Sequence, residues 1–186
     1  MAQTTRVLIL GKGGFGTQLA EMLVQSGQYA GAVFLDDNAS GCAGTMAELT
    51  RADLLEACPD AFAAVGNNSF RRQLLERLAA AGGPPPGFYD GAPAAAGYRL
   101  PVFVHPAAVV MPSAVLGPGT VVLPFCFVGA RVRTGQGCIL NAGAILDHDA
   151  VLGDAVHAAP GAIIKAGAAV EARTKGESGK LVRYPH

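Results

Sequence analysis

The sequence predicts two domains, an α/β domain with a small parallel sheet followed by a triangular β-solenoid. Two observations predict this order. In the first half, short apolar runs alternate with helix-like segments, an alternation that is typical of a parallel sheet flanked by helices. In the second half, residues 105–170 divide into eleven successive hexapeptides, and the sixth residue is aliphatic in nine of them. Neither a helix nor a flat strand produces that period.

Composition and charge exclude several classes of protein. The 186 residues are 51% hydrophobic and 15% charged, and fourteen Lys and Arg balance fourteen Asp and Glu. This composition excludes a disordered chain, and the absence of a basic field argues against a dedicated DNA or RNA binder. No apolar run approaches the roughly 18 residues that a bilayer span needs, so we expect a soluble, cytoplasmic protein that has no membrane contact. The four cysteines lack metal-site spacing, and we expect reduced, mostly buried thiols.

The first strand leads into a glycine-rich turn. Residues 6–10 (RVLIL) form an apolar run, and residues 11–16 (GKGGFG) follow it as a G-x-G-x-x-G motif. A helix is predicted from Thr17 onward, since its apolar residues recur at helical spacing, and it ends near Ser26. Glycines at such a turn let a phosphate approach the main chain, and the helix N-terminus favours an anion there.

The same alternation continues through two further units. Apolar strands are predicted at residues 32–35 and 61–65, with a helical segment at 47–58 between them. The third strand ends at Gly66, and Ser69 is a candidate N-cap for the helix that follows. Ligands of such a sheet bind beyond the carboxyl ends of its strands.

Three interpretations of the glycine turn remain open. Asp36 and Asp37 follow the motif by about 20 residues, where a dinucleotide-binding protein holds a ribose hydroxyl, so the pattern is compatible with a nicotinamide-dependent oxidoreductase. Only about three strands precede Gly82, whereas a full dinucleotide fold has two such halves. A mononucleotide-binding half is therefore the more economical hypothesis, and a tight turn without any ligand is the third.

The predicted domain boundaries follow from composition. Residues 1–82 form the Rossmann-like domain, and residues 83–100, rich in Pro, Gly and Ala and including three consecutive prolines, form a linker. Residues 101–172 form the solenoid, and residues 173–186 a C-terminal tail. Three hexapeptides make one coil, in which the sixth residue points inward and a small residue fills the corner. Charges are so rare on the solenoid that we expect its faces to be covered by copies of the chain.

One histidine stands out in the solenoid. His148 lies between Asp147 and Asp149, and carboxylates on both sides can raise its basicity and fix its tautomer. A neutral imidazole held in this way is suited to remove a proton from a hydroxyl or an amine. A metal site with His157 is a competing hypothesis, but zinc would need three converging ligands. An inert surface histidine is the remaining alternative.

Four segments of the solenoid together form a recognisable pattern: residues 141–146 (NAGAIL), 147–149 (DHD), 152–157 (LGDAVH) and 160–162 (PGA). They resemble the bacterial sugar O-/N-acyltransferases, the family that includes sialic acid O-acetyltransferases and UDP-4-amino-sugar N-acetyltransferases. The resemblance extends to the glycine loop, to the strand ending in Asp36 and Asp37, and to the Gly66 turn. It implies a left-handed parallel β-helix, a homotrimer, and active sites between adjacent subunits.

The resemblance also implies roles for individual residues. His148 would be the catalytic base, Asp149 would raise its basicity, and His157 would contact acetyl-CoA, with no metal involved. The nucleotide-sugar would be bound by glycine-loop residues together with residues after the second and third strands: Gly13, Gly14, Phe15, Asp36, Asp37 and Gly66. The implied activity is transfer of an acetyl group from acetyl-CoA to an amine or hydroxyl of a UDP-sugar or another sugar acceptor.

Two departures from the family pattern lead to further expectations. The family has His in the glycine loop where this chain has Phe15, and its solenoid continues beyond the position at which the hexapeptide pattern of this chain breaks, after Val170. The sequence therefore predicts a shortened C-terminal repeat that binds acetyl-CoA weakly. The alternative function is a non-catalytic nucleotide-sugar-binding trimer that has lost donor binding.

Overall fold

The computed structural model describes residues 5–81 and 98–182, and the chain divides into two compact units, residues 1–101 and 102–186. Residues 83–97, most of the predicted linker, lie outside the described residues. Within the described ranges, no helix combines the length and the apolar character needed to cross a bilayer.

The first unit is a three-stranded parallel sheet with helices between its strands, which confirms the predicted α/β fold. Its sheet order is β2-β1-β3, so the central strand β1 is flanked on both sides and its last four residues are buried. A buried parallel strand of this kind requires the continuous apolar run seen in the sequence. The elements are β1 (Arg6–Leu10), α1 (Gly14–Gln25), β2 (Gly31–Leu35), a 3₁₀ turn (Met46–Glu48), α2 (Ala52–Ala57), β3 (Asp60–Ala63) and α3 (Asn68–Ala80).

The helix boundaries differ from the sequence predictions in two places. Helix α1 begins inside the glycine motif, three residues before Thr17, because the Thr17 amide already donates to the Gly13 carbonyl. The N-cap of α3 is Asn67 and not Ser69, since the Asn67 side chain accepts a hydrogen bond of 2.9 Å from the amide of Phe70. The glycine loop is therefore also the first turn of a helix.

Residues 98–100, which the sequence assigned to the linker, pack with the first unit. Tyr98 and Leu100 are buried in its hydrophobic core, and Arg99 pairs with Asp60 beside the sheet. The Asp60 carboxylate accepts hydrogen bonds from Arg99 and from the hydroxyl of Tyr29. This cluster attaches the segment to the start of β3.

The second unit is a solenoid of two-residue parallel strands, which confirms the interpretation of the hexapeptide repeat. The strands form three sheets, and paired residues are eighteen positions apart, as Val121 is from Ile139. The first sheet contains β4 (Phe103–Val104), β6 (Val121–Val122), β9 (Ile139–Leu140) and β12 (His157–Ala158). The second contains β5 (Val109–Val110), β7 (Phe127–Val128), β10 (Ile145–Leu146), β13 (Ile163–Ile164) and β15 (Leu181–Val182). The third contains β8 (Arg133–Thr134), β11 (Val151–Leu152) and β14 (Ala169–Val170).

Each hexapeptide contributes two inward residues and one sharply turned corner. Sixth-position residues such as Leu146 and small fourth-position residues such as Ala150 are fully buried in the solenoid core. From Gly119 to Gly179, the third residue of every hexapeptide has a positive φ. Five of these residues are not glycine: Phe125, Arg131, Asp149, Ala155 and Arg173. Such residues adopt this left-handed conformation only against a steric penalty.

The solenoid continues beyond residue 172, where the sequence predicted its end. His157 pairs with Lys175, β15 pairs with β13, and the Ile163 amide donates to the Lys180 carbonyl. In the hexapeptide 171–176, Gly176 occupies the inward position in place of an aliphatic residue. The spacing of hydrophobic residues therefore does not reveal the repeat there. Backbone hydrogen bonds between coils preserve it, since they do not depend on side chains.

Large apolar side chains line the outer surface of the second sheet. Val109, Phe127, Ile145 and Ile163 occupy equivalent positions in four successive coils and are 38–51% exposed. We call these four residues the apolar stripe. Contiguous exposed apolar surface of this kind marks an interaction site.

Candidate active site

The candidate catalytic residues lie at the corner between β10 and β11. This corner, residues 147–149, is held between the equivalent corners of the coils below and above. The Asp149 amide donates to the Ala130 carbonyl at 2.9 Å, and the Gly167 amide donates to the His148 carbonyl at 2.8 Å. The backbone that carries the imidazole is thus fixed from both sides.

The structure brings His148 and Asp149 into direct contact. The imidazole Nδ1 lies 2.7 Å from Asp149 Oδ2, and the His148 side chain is 57% exposed. An ionised carboxylate can only accept a hydrogen bond, so the proton is assigned to Nδ1 and a lone pair to Nε2. Asp147 is used differently, since its Oδ1 accepts from the backbone amide of His148 at 2.7 Å. The corner therefore presents an oriented imidazole that can act as a base through Nε2.

Arg131, which the sequence analysis missed, binds the same carboxylate. Its Nε lies 2.6 Å from Asp149 Oδ1, and its second terminal nitrogen lies 2.7 Å from Oδ2. These hydrogen bonds, followed by the one from His148, hold the pKa of Asp149 well below its ordinary value. The carboxylate therefore stays ionised at any pH suited to an assay. The eighteen-residue period of the coils could have revealed this partner in the sequence, because Arg131 precedes Asp149 by eighteen residues.

Gly129 supports the corner from the coil below. A Cβ atom at this position would lie 2.8 Å from the His148 amide nitrogen and 2.9 Å from two further backbone atoms of residues 146 and 147. Real Cβ atoms essentially never approach other atoms this closely. Glycine is thus required for close stacking of the two coils under the imidazole.

His157 lies elsewhere on the coil, in β12 of the first sheet. Its Nε2 is 3.0 Å from the side-chain amide nitrogen of Asn141, whose oxygen accepts from the Ala142 amide at 2.8 Å. The Asn141 amide therefore donates to His157, and Nε2 carries the lone pair. His148 lies at the corner between the second and third sheets, whereas His157 lies in the first sheet.

Metal and thiol chemistry have little support in the described residues. Across residues 5–81 and 98–182, no three His, Cys, Asp or Glu side chains are grouped to hold a metal ion. Cys126 and Cys138 are buried, and their thiols donate to backbone carbonyls of the coil above. Burial raises the pKa of Cys126, which disfavours a reactive thiolate.

The glycine loop of the first unit contains two kinds of glycine. A Cβ atom at Gly16 would lie 1.9 Å from the Gly11 carbonyl oxygen, and Gly11 itself has φ +103°. These two residues are required by the turn. Gly13, Gly14 and, after β3, Gly66 instead border open space, since no atom lies within 4 Å of a Cβ built there. The open glycines leave main-chain surface accessible to a ligand, with Phe15 partly exposed beside them.

The two aspartates after β2 organise loops through backbone amides. Asp36 Oδ2 accepts from the Lys12 amide at 2.7 Å, and its Oδ1 accepts from the amides of Asn38 and Ala39 at 2.8 and 2.9 Å. Asp37 accepts from the Met46 amide at 2.8 Å. The bond from Lys12 is the main cause of a lowered pKa at Asp36. Asp36 thus ties the glycine loop to the loop after β2, and both of its oxygens are engaged.

We expect Asp36→Asn to destabilise the first unit by roughly 1–2 kcal/mol, because an amide nitrogen would replace one oxygen and face a backbone N–H. Since the pKa of Asp36 is lowered by folding, its contribution is present above about pH 4 and is lost as pH falls below that value. Urea unfolding at pH 7 and pH 3 measures both effects. Asp37→Asn, which keeps an acceptor for its single amide partner, is the matched control. Equal stability of the two variants at pH 7 would contradict the role of Asp36.

Comparison with known proteins gives consistent matches to sugar acetyltransferases. The family model described as the PglD N-terminal domain matches residues 6–78. The acetyltransferase domain of PglB from Neisseria gonorrhoeae, solved with acetyl coenzyme A, is 33% identical with a TM-score of 0.81; the match covers 97% of this chain and 82% of that one.

Two further solved structures extend the comparison. PerB from Caulobacter crescentus, solved with CoA and GDP-perosamine, is 25% identical over 95% of this chain and 88% of that one, with a TM-score of 0.72. WeeI from Acinetobacter baumannii has the same coverage, 18% identity and a TM-score of 0.61. At that identity, WeeI supports the fold alone.

Proposed function

Because the chain belongs to the bacterial sugar acyltransferase family, we propose that it transfers an acetyl group from acetyl-CoA to an amine or hydroxyl of a nucleotide-activated sugar. The observation that carries this proposal is the largely exposed imidazole of His148, whose Nδ1 is held by Asp149. Two relatives support the choice of substrates, since PglB was solved with acetyl-CoA and PerB with CoA and GDP-perosamine.

The proposed reaction is acyl transfer with His148 as general base. Nε2 accepts a proton from the acceptor nitrogen or oxygen as that atom attacks the thioester carbonyl. The new N–C or O–C bond forms, the tetrahedral oxyanion collapses, and the C–S bond breaks. The proton then passes from His148 to the departing CoA sulfur, so that the base is regenerated. Asp149 keeps the Nδ1 proton in place throughout, which leaves Nε2 as the reacting nitrogen.

The nucleotide-sugar is proposed to bind at the glycine loop. Gly13 and Gly14 border open space at the N-terminus of the twelve-residue helix α1, and Gly66 borders open space after β3. Backbone amides and the helix dipole at such a place favour phosphate groups. Phe15 offers a partly exposed ring beside these amides. Asp36 and Asp37 act indirectly in this proposal, by holding the loops.

Acetyl-CoA is proposed to contact His157. The Asn141 amide fixes the orientation of this ring, and the solenoid continues above it to Val182. The expectation of weak donor binding assumed that the solenoid ends at residue 172, and the structure adds two hexapeptides, residues 171–182, to the coils available to a donor. This extension weakens the argument for the non-catalytic alternative.

The apolar stripe supports a homotrimer with another copy of the chain as its partner. Its four side chains stack along one face of the prism, and self-association buries such a face. A trimer also offers a way for His148 of one subunit to meet His157 of another, although in one protomer His148 lies at the corner between the second and third sheets and His157 in the first sheet.

We expect Phe127→Glu to shift the protein from trimers toward single chains at micromolar concentration. Phe127 lies within the apolar stripe, where association would bury the introduced carboxylate without a partner. Multi-angle light scattering measures the change in mass. Val24→Glu, at an exposed apolar residue of α1, is the control and should leave the mass unchanged. A monomeric wild type would contradict the proposal.

An acetyl-transfer assay tests the proposed function directly. Release of free CoA thiol from acetyl-CoA would be followed with a UDP-4-amino-sugar, GDP-perosamine and sialic acid as separate acceptors. Acceptor-dependent thiol release with at least one of them is expected, and mass spectrometry should find the acetylated product. Binding of a nucleotide-sugar without turnover on any acceptor would favour the non-catalytic function, and a thermal shift with NAD alone would favour the oxidoreductase.

A further inference from the structure

We propose that Arg131 is a positioning residue for acetyl transfer, one that acts through Asp149 to fix the tautomer and the direction of the His148 imidazole. The proposal rests on the proposed function of His148. It differs from that function because Arg131 need not touch either substrate. It assigns a task to a side chain that lies one full coil away from the imidazole in the chain.

The hydrogen-bond geometry carries the first step of the argument. Asp149 Oδ2 lies 2.7 Å from a terminal nitrogen of Arg131 and 2.7 Å from Nδ1 of His148, while Oδ1 lies 2.6 Å from Arg131 Nε. Two parallel bonds from the rigid guanidinium fork fix the plane of the carboxylate. The lone pair of Oδ2 that faces His148 is therefore fixed in direction as well. Without the fork, the carboxylate could rotate about its bond to Cβ and lose the imidazole.

The exposure of the three side chains shows why such a clamp is needed. Asp149 and His148 are 41% and 57% exposed, and Arg131 is 64% exposed. Water competes for an exposed carboxylate, so a single bond to the imidazole would be a weak restraint. A bidentate partner anchored on the neighbouring coil supplies the missing restraint.

Backbone conformation provides an independent argument. Arg131 and Asp149 both occupy the third position of a hexapeptide, with φ values of +58° and +62°. Glycine fills the same position in other hexapeptides, as at Gly137 and Gly143, so the turn itself needs no side chain. Phe125, Ala155 and Arg173 share this conformation, so the strain gains weight only where a contact accompanies it. Arg131 and Asp149 stack on adjacent coils, and their side chains bind each other.

The coil below strengthens the same column. The Arg131 amide donates to the hydroxyl of Ser113, eighteen residues earlier, at 3.0 Å. The Asp149 amide donates to the Ala130 carbonyl. Ser113, Arg131 and Asp149 thus form a continuous stack through three coils, and this stack ends at the imidazole.

Arg131→Met tests the proposal, with Arg133→Met as the matched control from the same coil. Arg133 is exposed. It lies in strand β8, where it pairs with Val151 of β11, and not in the corner that contains Asp149. For Arg131→Met we expect kcat to fall roughly tenfold, a fraction of the 10²- to 10⁴-fold that a general base contributes. The KM for acetyl-CoA and the melting temperature should hardly change. Arg131→Lys, which restores charge but not the fork, should recover only part of kcat.

A second readout needs no acceptor. Ring ¹⁵N NMR of histidine-labelled protein, with the His148 signal identified from His148→Ala, reports which nitrogen carries the proton. We expect the Nδ1–H tautomer in the wild type and in Arg133→Met, and a mixture of tautomers in Arg131→Met. This measurement stays valid even if the sugar acceptor is unknown.

The outcomes separate the proposal from the function on which it rests. Unchanged kcat and an unchanged tautomer in Arg131→Met, together with an inactive His148→Ala, would overturn the role of Arg131 and leave the base in place. An active His148→Ala would overturn the proposed function instead. Full activity of Arg131→Lys would show that a positive charge suffices without the bidentate guanidinium, and this result would also overturn the proposed role of Arg131.

Discussion

His148→Ala is expected to lower kcat for acetyl transfer by roughly 10²- to 10⁴-fold, the contribution that general bases typically make. The reason is local, since the exposed imidazole at this corner is oriented through Nδ1 by Asp149 and is the proposed base. Its side chain projects from the corner and contributes little packing. The melting temperature and the oligomeric state of the variant should therefore match those of the wild type.

The measurement is a steady-state assay of CoA release with the acceptor that the wild type uses. His105→Ala provides the matched control, because His105 lies in the same solenoid and its contacts, with the Ala107 amide and the Phe103 ring, are local to the first coil. That variant should retain its activity. If His148→Ala kept more than about half of the wild-type rate, His148 could not be the base, since such a remainder is incompatible with loss of general-base catalysis.

Gly129→Ala is expected to lower kcat by about 10²-fold although it adds only a single methyl group against the backbone of the His148 corner, because misplacement of a catalytic group by about 1 Å can have that effect. The new Cβ would lie 2.8 Å from the His148 amide nitrogen, and backbone atoms surround it. No flexible side chain can move aside, so the corner that carries the imidazole must shift.

Gly161→Ala separates this effect from general destabilisation of the solenoid. Gly161 has φ +65°, and a Cβ there meets its nearest neighbour, Gly179, at an ordinary 3.9 Å. Alanine at this position is strained in its backbone but displaces nothing at His148. We expect a lower melting temperature with normal kcat for Gly161→Ala. Normal kcat for Gly129→Ala, measured well below its melting temperature, would show that the corner tolerates the displacement.

The period of the repeat explains how much of the solenoid could be predicted. A six-residue spacing of aliphatic residues sets the inward positions, and the strands occur at the expected places, as at Ile145–Leu146 and Val151–Leu152. The last coil escaped prediction because Gly176 occupies an inward position there. The backbone hydrogen bonds that hold it do not depend on side-chain identity, so the sequence does not reveal them.

The candidate site was predictable only where its contacts are between sequence neighbours. His148 and Asp149 are adjacent, so their pairing could be inferred from the chain itself. Arg131 could not be found in this way, because its partner is on the next coil. Asp36 is a different case. Its spacing from the glycine motif suggests a ribose ligand, but the structure engages its oxygens with three backbone amides. Motif spacing alone does not distinguish these two uses of a carboxylate.

The pairing of strands eighteen residues apart makes the solenoid a one-dimensional stack, and this sets how it assembles and comes apart. In such a stack each coil contacts only its neighbours, so folding can propagate from one nucleus coil by coil. Each added coil pairs residues only eighteen positions apart, so the contacts of this stack are local in the chain compared with those of a β-sandwich. Fraying from the upper end must melt the coil that begins at Lys165 before it reaches the His148 corner, which is bonded to that coil through Gly167. The imidazole is thus exposed to solvent but mounted in the interior of the stack, where local unfolding is least frequent.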